Sequence, residues 1–301
     1  MESRKYVWVN GVLVESKNAK VHVLTHSLQY GSGIFEGIRS YSSSEGTSIF
    51  RLKDHMKRFE NSARIYSMNL GFTAHELEDA VVEIVRKNKD RDCYIRPFAF
   101  VDDTRIGLGT QGKKISVVIA SVPFGSYFDD KEKGVKCVVS SWRRINSSIM
   151  PPEAKASANY LNSSTASLEA KNAGADEAIL LSSNGYVAEG PGENIFLVNS
   201  GKLLTPSKDA DILLGITRDT IIKLAEFKGI EVEERNVHRE ELYTADEMFF
   251  AGTAAEITHI TSVDKRKVGN GKKGPITRIL AEEYSNTVHG KTDFKEWLTE
   301  V

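Results

Sequence analysis

The chain has 301 residues, with 40 Lys and Arg against 41 Asp and Glu, a formal charge of −1, and no block of five like charges. That is chain enough for one large or two medium domains, and it points away from nucleic acid or a membrane surface as the main partner. No apolar run approaches the ~18 residues of a membrane span. The start, "MESRKYVWVNG", lacks the apolar stretch of a signal peptide, so a soluble, cytoplasmic protein is expected. Cys93 and Cys137 sit in apolar stretches and read as buried strand residues rather than a disulfide.

In chain order, "YVWVNGVLVE" predicts a hairpin turning at Asn10-Gly11, and "TSIFRL" a strand. Residues 53–70 place Met56, Phe59, Ala63 and Tyr66 on one helical stripe. A second helix follows from Thr73, a candidate cap, and then two apolar strands, "CYIRPFAFV" and "KISVVIASVPF". This gives an α+β domain over 1–122 and a linker over 123–134, where turn formers and charge mix. A larger domain covers 135–301. Within it "VKCVVSSW" is a strand, about 158–172 a helix stopped by Gly174, and "EAILLSSNGYVAEG" a hairpin through Asn184-Gly185. "NIFLVNSGKLLTP" is a second hairpin. "TRDTIIKLAEFKG" is a helix with Thr217 as N-cap and Gly229 as its stop, and "DEMFFAGTAAE" a strand entering a tight turn.

Several polar residues stand out from this frame. Lys155 follows Pro151 and Pro152 and precedes Ala156, Ser157 and Ala158, so it is both restrained and uncrowded. A lysine amine so placed can form a Schiff base with a carbonyl partner, although most lysines are simply solvated. Tyr160 lies five residues on and alone reads as a core tyrosine. Glu189 ends a strand beside Gly190, Pro191 and Gly192, which permit close approach of a ligand; Glu193 competes for any role, and a plain hairpin rim fits as well. Gly215, Ile216 and Thr217 open a helix, whose N-terminus suits phosphate, and Gly252, Thr253 and Ala254 form another candidate anion cradle. "YGSGIFEGIRSY" is glycine-rich, but its spacing is not the dinucleotide fingerprint. Arg96 sits in an otherwise apolar strand, where a buried charge needs a partner such as a carboxylate. His22 and His26, read as strand and turn, lack a third ligand, so no metal is expected.

Seven segments, in order "YGSGIFEGIRSY", "RLKDHMKRFENSARIY", "YIRPFAFV", "EAKASANYLNSS", "GYVAEGPGENIFLV", "LLGITRDTIIKLA" and "FFAGTAAEIT", together resemble the branched-chain aminotransferases, pyridoxal 5'-phosphate (PLP) enzymes of fold type IV. The resemblance covers nearly the whole chain. It implies an α+β, two-domain fold type IV protein, with a small N-terminal domain and a larger C-terminal domain built on a barrel-like β core. The activity it implies is transamination between L-branched-chain amino acids and 2-oxoglutarate, by ping-pong half-reactions. Lys155 matches the lysine that holds PLP as the internal aldimine and shuttles the proton. Glu189 matches the carboxylate facing the pyridine nitrogen, and Tyr160 the tyrosine on the ring hydroxyl. Arg58, Ile216, Thr217 and Thr253 match the phosphate contacts.

For substrate, Thr253 and Ala254 match the turn holding the α-carboxylate, and Phe35, Gly37, Tyr94, Tyr127 and Tyr160 the walls of the side-chain pocket. Arg96 matches the arginine that meets the distal carboxylate of glutamate. Tyr30 and Leu108 would reach a neighbouring subunit's pocket, which implies a homodimer or a higher homo-oligomer up to a hexamer. Ser157 and Ala158 stand where relatives often carry glycine, His259 where proline is usual, and "VDDTRIGLG" is longer than common versions. Other fold type IV enzymes remain as alternatives: a D-amino acid or (R)-amine transaminase, or aminodeoxychorismate lyase. A catalytically silent PLP-binding protein is the rival of a different class.

Overall fold

A computed structural model of the chain describes residues 4–44, 46–125 and 133–301. Residues 126–132, inside the expected linker and including Tyr127, lie outside the described residues. The chain forms two compact units. The first comprises Met1–Gly125, Ala154–Ala158 and Thr287–Val301, the second Ser126–Glu153 and Asn159–Asn286.

The first unit begins with the expected hairpin, β1 (Tyr6–Val9) and β2 (Val12–Glu15). Asn10 and Gly11 take the left-handed φ values, 48° and 94°, that a two-residue hairpin turn demands. α1 (His26–Tyr30), β3 (Gly33–Phe35), β4 (Ile38–Ser43), β5 (Gly46–Phe50), α2 (Leu52–Ile65), α3 (Ala74–Asn88), β6 (Cys93–Val101) and β7 (Ile115–Pro123) follow. They build an antiparallel sheet in the order β5-β4-β6-β7-β1-β2, with β3 also on β6 and the C-terminal strand Leu298–Glu300 on β5. Met56, Phe59 and Ala63 of α2 and Leu77, Val81 and Ile84 of α3 share one core with Ile38, Ile95, Val117 and Ile119. Burying each large apolar side chain contributes on the order of 1.5–3 kcal/mol. α3 starts at Thr73 with a full capping box to Glu76.

Residues 21–25 form no strand, contrary to expectation, and His26 instead opens α1. Its ring is buried and bonds Ser32 Oγ at 2.6 Å and the Gly107 carbonyl at 2.9 Å, so it ties α1 to the loop after β6.

The second unit contains β8 (Val135–Arg143), α4 (Asn159–Asn172), β9 (Glu177–Leu181), β10 (Asn194–Asn199), β11 (Lys202–Pro206), α5 (Ile216–Phe227), β12 (Val232–Arg235), β13 (Glu247–Gly252), β14 (Glu256–Val263) and β15 (Arg266–Lys267), before α6 (Pro275–Val288). The sheet order is β12-β11-β10-β13-β14-β8-β9, with β15 on β14. Three pairs, β11/β12, β14/β8 and β8/β9, are parallel. The named ladders leave the sheet open. Short bridges, Leu181 to Val187 and Glu189 to Asn194, join β9 to β10 through residues 187–189 and make the core barrel-like. Ile195, Leu197, Met248 and Phe250 point into the shared core, and on the opposite face of β10 and β13 Phe196 stacks on Phe249, ring centroids 5.0 Å apart.

The turn at Asn184-Gly185 closes the expected hairpin: Ser182 N–H bonds the Tyr186 carbonyl at 2.7 Å, and Ala188 N–H and Leu180 N–H bond the Leu180 and Glu189 carbonyls at 2.9 Å. The N-cap of α5 is Gly215, not Thr217, which lies inside the helix and is buried. Cys93 and Cys137 are buried thiols, and desolvation pushes Cys93 up to about 12. Among the described residues no helix is long and apolar enough to cross a membrane.

Candidate active site

In the first unit, Lys155 is fixed by backbone. Its carbonyl accepts the Phe35 N–H at 2.9 Å, Ser157 N–H bonds the Gly33 carbonyl at 2.9 Å, and Ala156 bridges Ile34. Its own N–H reaches Ser62 Oγ of α2 at 3.1 Å. The segment is thus a short extra strand on β3, and its restraint comes from this pairing as well as from Pro151 and Pro152. The half-buried side chain sets Nζ 5.2 Å from the centre of the Phe35 ring.

Arg96 meets the same ring from β6, its guanidinium carbon 4.5 Å from the centroid, and donates to Tyr94 Oη at 3.1 Å. The expectation of a buried charge fails here. Along β6 the odd positions 93, 95, 97 and 99 face the core, so Arg96 points away and is exposed. Gly37 completes the cluster, since a Cβ there would fall 1.9 Å from Tyr94 Oη. Five expected residues, Phe35, Gly37, Tyr94, Arg96 and Lys155, are thereby brought together. Tyr30 and Leu108 are exposed, and the His26 contacts hold their two segments side by side.

Arg58, on α2, is bound by a residue to which sequence reasoning gave no role. Glu36 is fully buried, with Oε1 accepting Arg58 Nε at 2.6 Å and Oε2 accepting Arg58 Nη2 at 2.9 Å. His55 Nδ1 lies 2.7 Å from Oε2. Burial works to raise the Glu36 pKa, but the Arg58 charge and the hydrogen bonds from Arg58 and His55 outweigh it and hold the carboxyl far below its usual range. Burial in turn pushes His55 down, so the neutral ring carries its proton on Nδ1, toward the carboxylate. The one sequence signal was His55 and Arg58 three apart on one helical face.

In the second unit, Glu189 is likewise buried. Arg144 Nε donates to Oε1 at 2.6 Å, Asn194 Nδ2 to Oε2 at 3.0 Å, and the Leu213 N–H reaches both oxygens. Arg144 was also missed, because nothing in sequence links it to a carboxylate 45 positions on. Asn194 also donates to the Leu213 carbonyl, and its Oδ1 would lie 2.0 Å from a Cβ on Gly215. Only glycine fits there, and α5 consequently begins with no side-chain cap. Its first residues, Ile216 and Thr217, are buried amides of an uncapped helix start, which suits an anion. Glu193 Oε2 accepts the Gly192 N–H and so supports the turn. Thr253 and Ala254 form the β13–β14 turn, and Tyr160 is half-buried in the first turn of α4. His259 is buried in β14 against Gly134, where a Cβ would meet its ring.

The first unit thus presents an amine on a strand edge, and the second a buried carboxylate held by arginine and a helix start without a side-chain cap. Residues 33–263 match the family model described as amino-transferase class IV. The chain is 44% identical over 300 residues to the branched-chain-amino-acid aminotransferase of Escherichia coli K12, covering 98% of this chain and 97% of that one. It is 44% identical over 298 residues to the Pseudomonas aeruginosa enzyme of the same name. Among solved structures, the branched-chain aminotransferase of Thermoproteus uzoniensis with norvaline superposes with TM-score 0.94 at 49% identity, covering 98% and 99% of the two chains. The T.th. branched-chain aminotransferase complexed with N-(5'-phosphopyridoxyl)-L-glutamate gives 0.95 at 42%, covering 100% and 99%. The chain belongs to the class IV aminotransferases. Within that family it is an enzyme of the branched-chain group, a branched-chain-amino-acid transaminase, and its cofactor is PLP.

Proposed function

We propose that the enzyme exchanges the amino group between L-branched-chain amino acids and 2-oxoglutarate, in two half-reactions that share one pocket. The observation that carries this reading is Arg96 laid across Phe35 and Tyr94, a cation on an aromatic wall beside Lys155. Aromatic faces accept a leucine side chain, and a guanidinium able to move off them meets the distal carboxylate of glutamate. The glutamate adduct captured in the T.th. relative supports the second half of that reading.

PLP, when bound, supplies the electron sink that makes the substrate Cα–H acidic. Lys155 would hold the cofactor through Nζ, and the same amine would serve as base and acid for the substrate Cα proton. Glu189, paired with Arg144, would face the ring nitrogen and favour its protonated form, and Tyr160 would bond the ring hydroxyl. Arg58, the amides of Ile216 and Thr217, and Thr253 hold the phosphate. The Thr253–Ala254 turn would hold the substrate α-carboxylate, while Phe35, Gly37, Tyr94 and Tyr160 would line the side-chain pocket.

The visible spectrum tests this reading. L-leucine alone is expected to bleach the cofactor's absorption band and 2-oxoglutarate to restore it, with D-leucine inert. Restoration by no dicarboxylic oxo acid, or bleaching by D-leucine alone, would overturn the substrate assignment in favour of another fold type IV activity.

Val21, Val23, Leu24, Leu28, Ile106 and Leu108 are exposed near α1 and the loop it is tied to, apolar area that a solitary chain rarely shows water. A second copy is the proposed cover, with Tyr30 and Leu108 reaching the neighbour. Sedimentation equilibrium is expected to return at least twice the 33.4 kDa chain mass; a monomer would refute the assembly.

A further inference from the structure

We infer that Glu36 is a positioning residue which, with His55, aims the Arg58 guanidinium at the cofactor phosphate. The inference rests on the reading that Arg58 holds that phosphate. An arginine side chain has several rotatable bonds, and its plane must be set before it can meet an oxyanion with two parallel hydrogen bonds. Glu36 sets it: its two oxygens bind Nε and Nη2 of the same guanidinium, fixing plane and tilt together. The carboxylate is itself held from other sides, by His55 Nδ1 at 2.7 Å, by the Gly37 N–H at 3.2 Å, and through its backbone N–H on the Pro97 carbonyl at 2.9 Å. His55 and Arg58 reach it from adjacent turns of α2, so one rigid helix carries both partners.

Glu36 also stands between Phe35 and Gly37, two of the proposed pocket residues. The group that orients the phosphate arm is therefore part of the strand end that shapes the substrate wall.

Stability alone does not account for the arrangement, since a buried ion pair is often replaceable by apolar residues without loss. Simple charge attraction does not account for it either. Ionised Glu36, cationic Arg58 and neutral His55 sum to zero, so a phosphate held by net charge alone would be held better without Glu36. The sign of the effect of Glu36→Gln therefore separates orientation from attraction.

The test uses the full-length enzyme freed of PLP by L-cysteine, with folding of each variant checked by circular dichroism. Dissociation constants are measured for PLP and for pyridoxal, which lacks the phosphate. The readout is their ratio within each protein, which general loosening of the fold leaves unchanged. Glu36→Gln is expected to lower the preference for PLP by about tenfold or more, the scale typical of groups that orient a ligand-binding side chain. His55→Gln should lower it less. An unchanged or increased preference in Glu36→Gln overturns the inference, as does an equal loss for both compounds. If Glu36→Gln does not fold, His55→Gln decides by the same criteria. Arg58→Gln is the control: an undiminished preference there refutes Arg58 as the phosphate ligand, whereas a lost preference with Glu36→Gln unaffected refutes only the role of Glu36.

Discussion

Replacing Lys155 with alanine is expected to lower transamination by at least ~10⁴-fold, because on the proposed mechanism one side chain would supply both the covalent hold on the cofactor and the proton transfer. The substitution is clean for a structural reason. Lys155 is positioned by its carbonyl on Phe35, by its N–H on Ser62 and by the neighbouring bridge of Ala156 to Ile34, and alanine keeps all of these. The melting temperature should therefore stay within a few degrees of the wild-type value while turnover disappears. Leucine-dependent glutamate formation, followed in stopped assays, reads the first quantity, and circular dichroism the second. Activity above a tenth of wild type in a purified, homogeneous variant would remove Lys155 from the chemistry.

Glu189→Gln is expected to reduce kcat by roughly 10²–10³-fold, the range for loss of one preorganised charge facing a centre where charge develops. The amide keeps the shape and can still accept bonds from Asn194 and the Leu213 N–H, but it cannot balance Arg144. That arginine is 7% exposed, so stability should also fall, by about 1–3 kcal/mol. The two losses are separable by measuring kcat well below the unfolding transition. Arg144→Gln supplies the complementary reading, because it leaves the Glu189 carboxylate in place without its cation. A Glu189→Gln enzyme with wild-type kcat would refute the proposed hold on the ring nitrogen.

The elements legible in the sequence were those governed by local rules. Asn10-Gly11 forces a left-handed turn, Thr73 and Glu76 cap each other across three residues, and the stripe Met56, Phe59, Ala63 follows from the helical period. Errors came where a distant partner decided the outcome. Thr217 has the chemistry of a cap, but Asn194 occupies the space beside residue 215, and glycine takes the cap instead. Arg96 looked buried in an apolar run, yet strand alternation turns it outward, and only the rings of Phe35 and Tyr94 explain its place. Glu36 and Arg144 bind partners 22 and 45 positions away, separations that carry no local signal. The parallel pairing of β8 with β9 and β14 is equally invisible to turn chemistry. Family resemblance suggested the individual functional side chains; it said nothing of the pairs that hold them.

The bridge between Ala156 and Ile34 has a bearing on how this chain can change over generations. Side chains alternate faces along an extended segment, so one residue inserted between Lys155 and the bridge at Ala156 would turn the amine to the opposite side. Substitution does not carry that hazard, and here Ser157 and Ala158 occupy positions where glycine is frequent. The five residues Ala154–Ala158 that the first unit takes from the middle of the chain are thus a stretch where, Lys155 apart, composition can drift but length cannot.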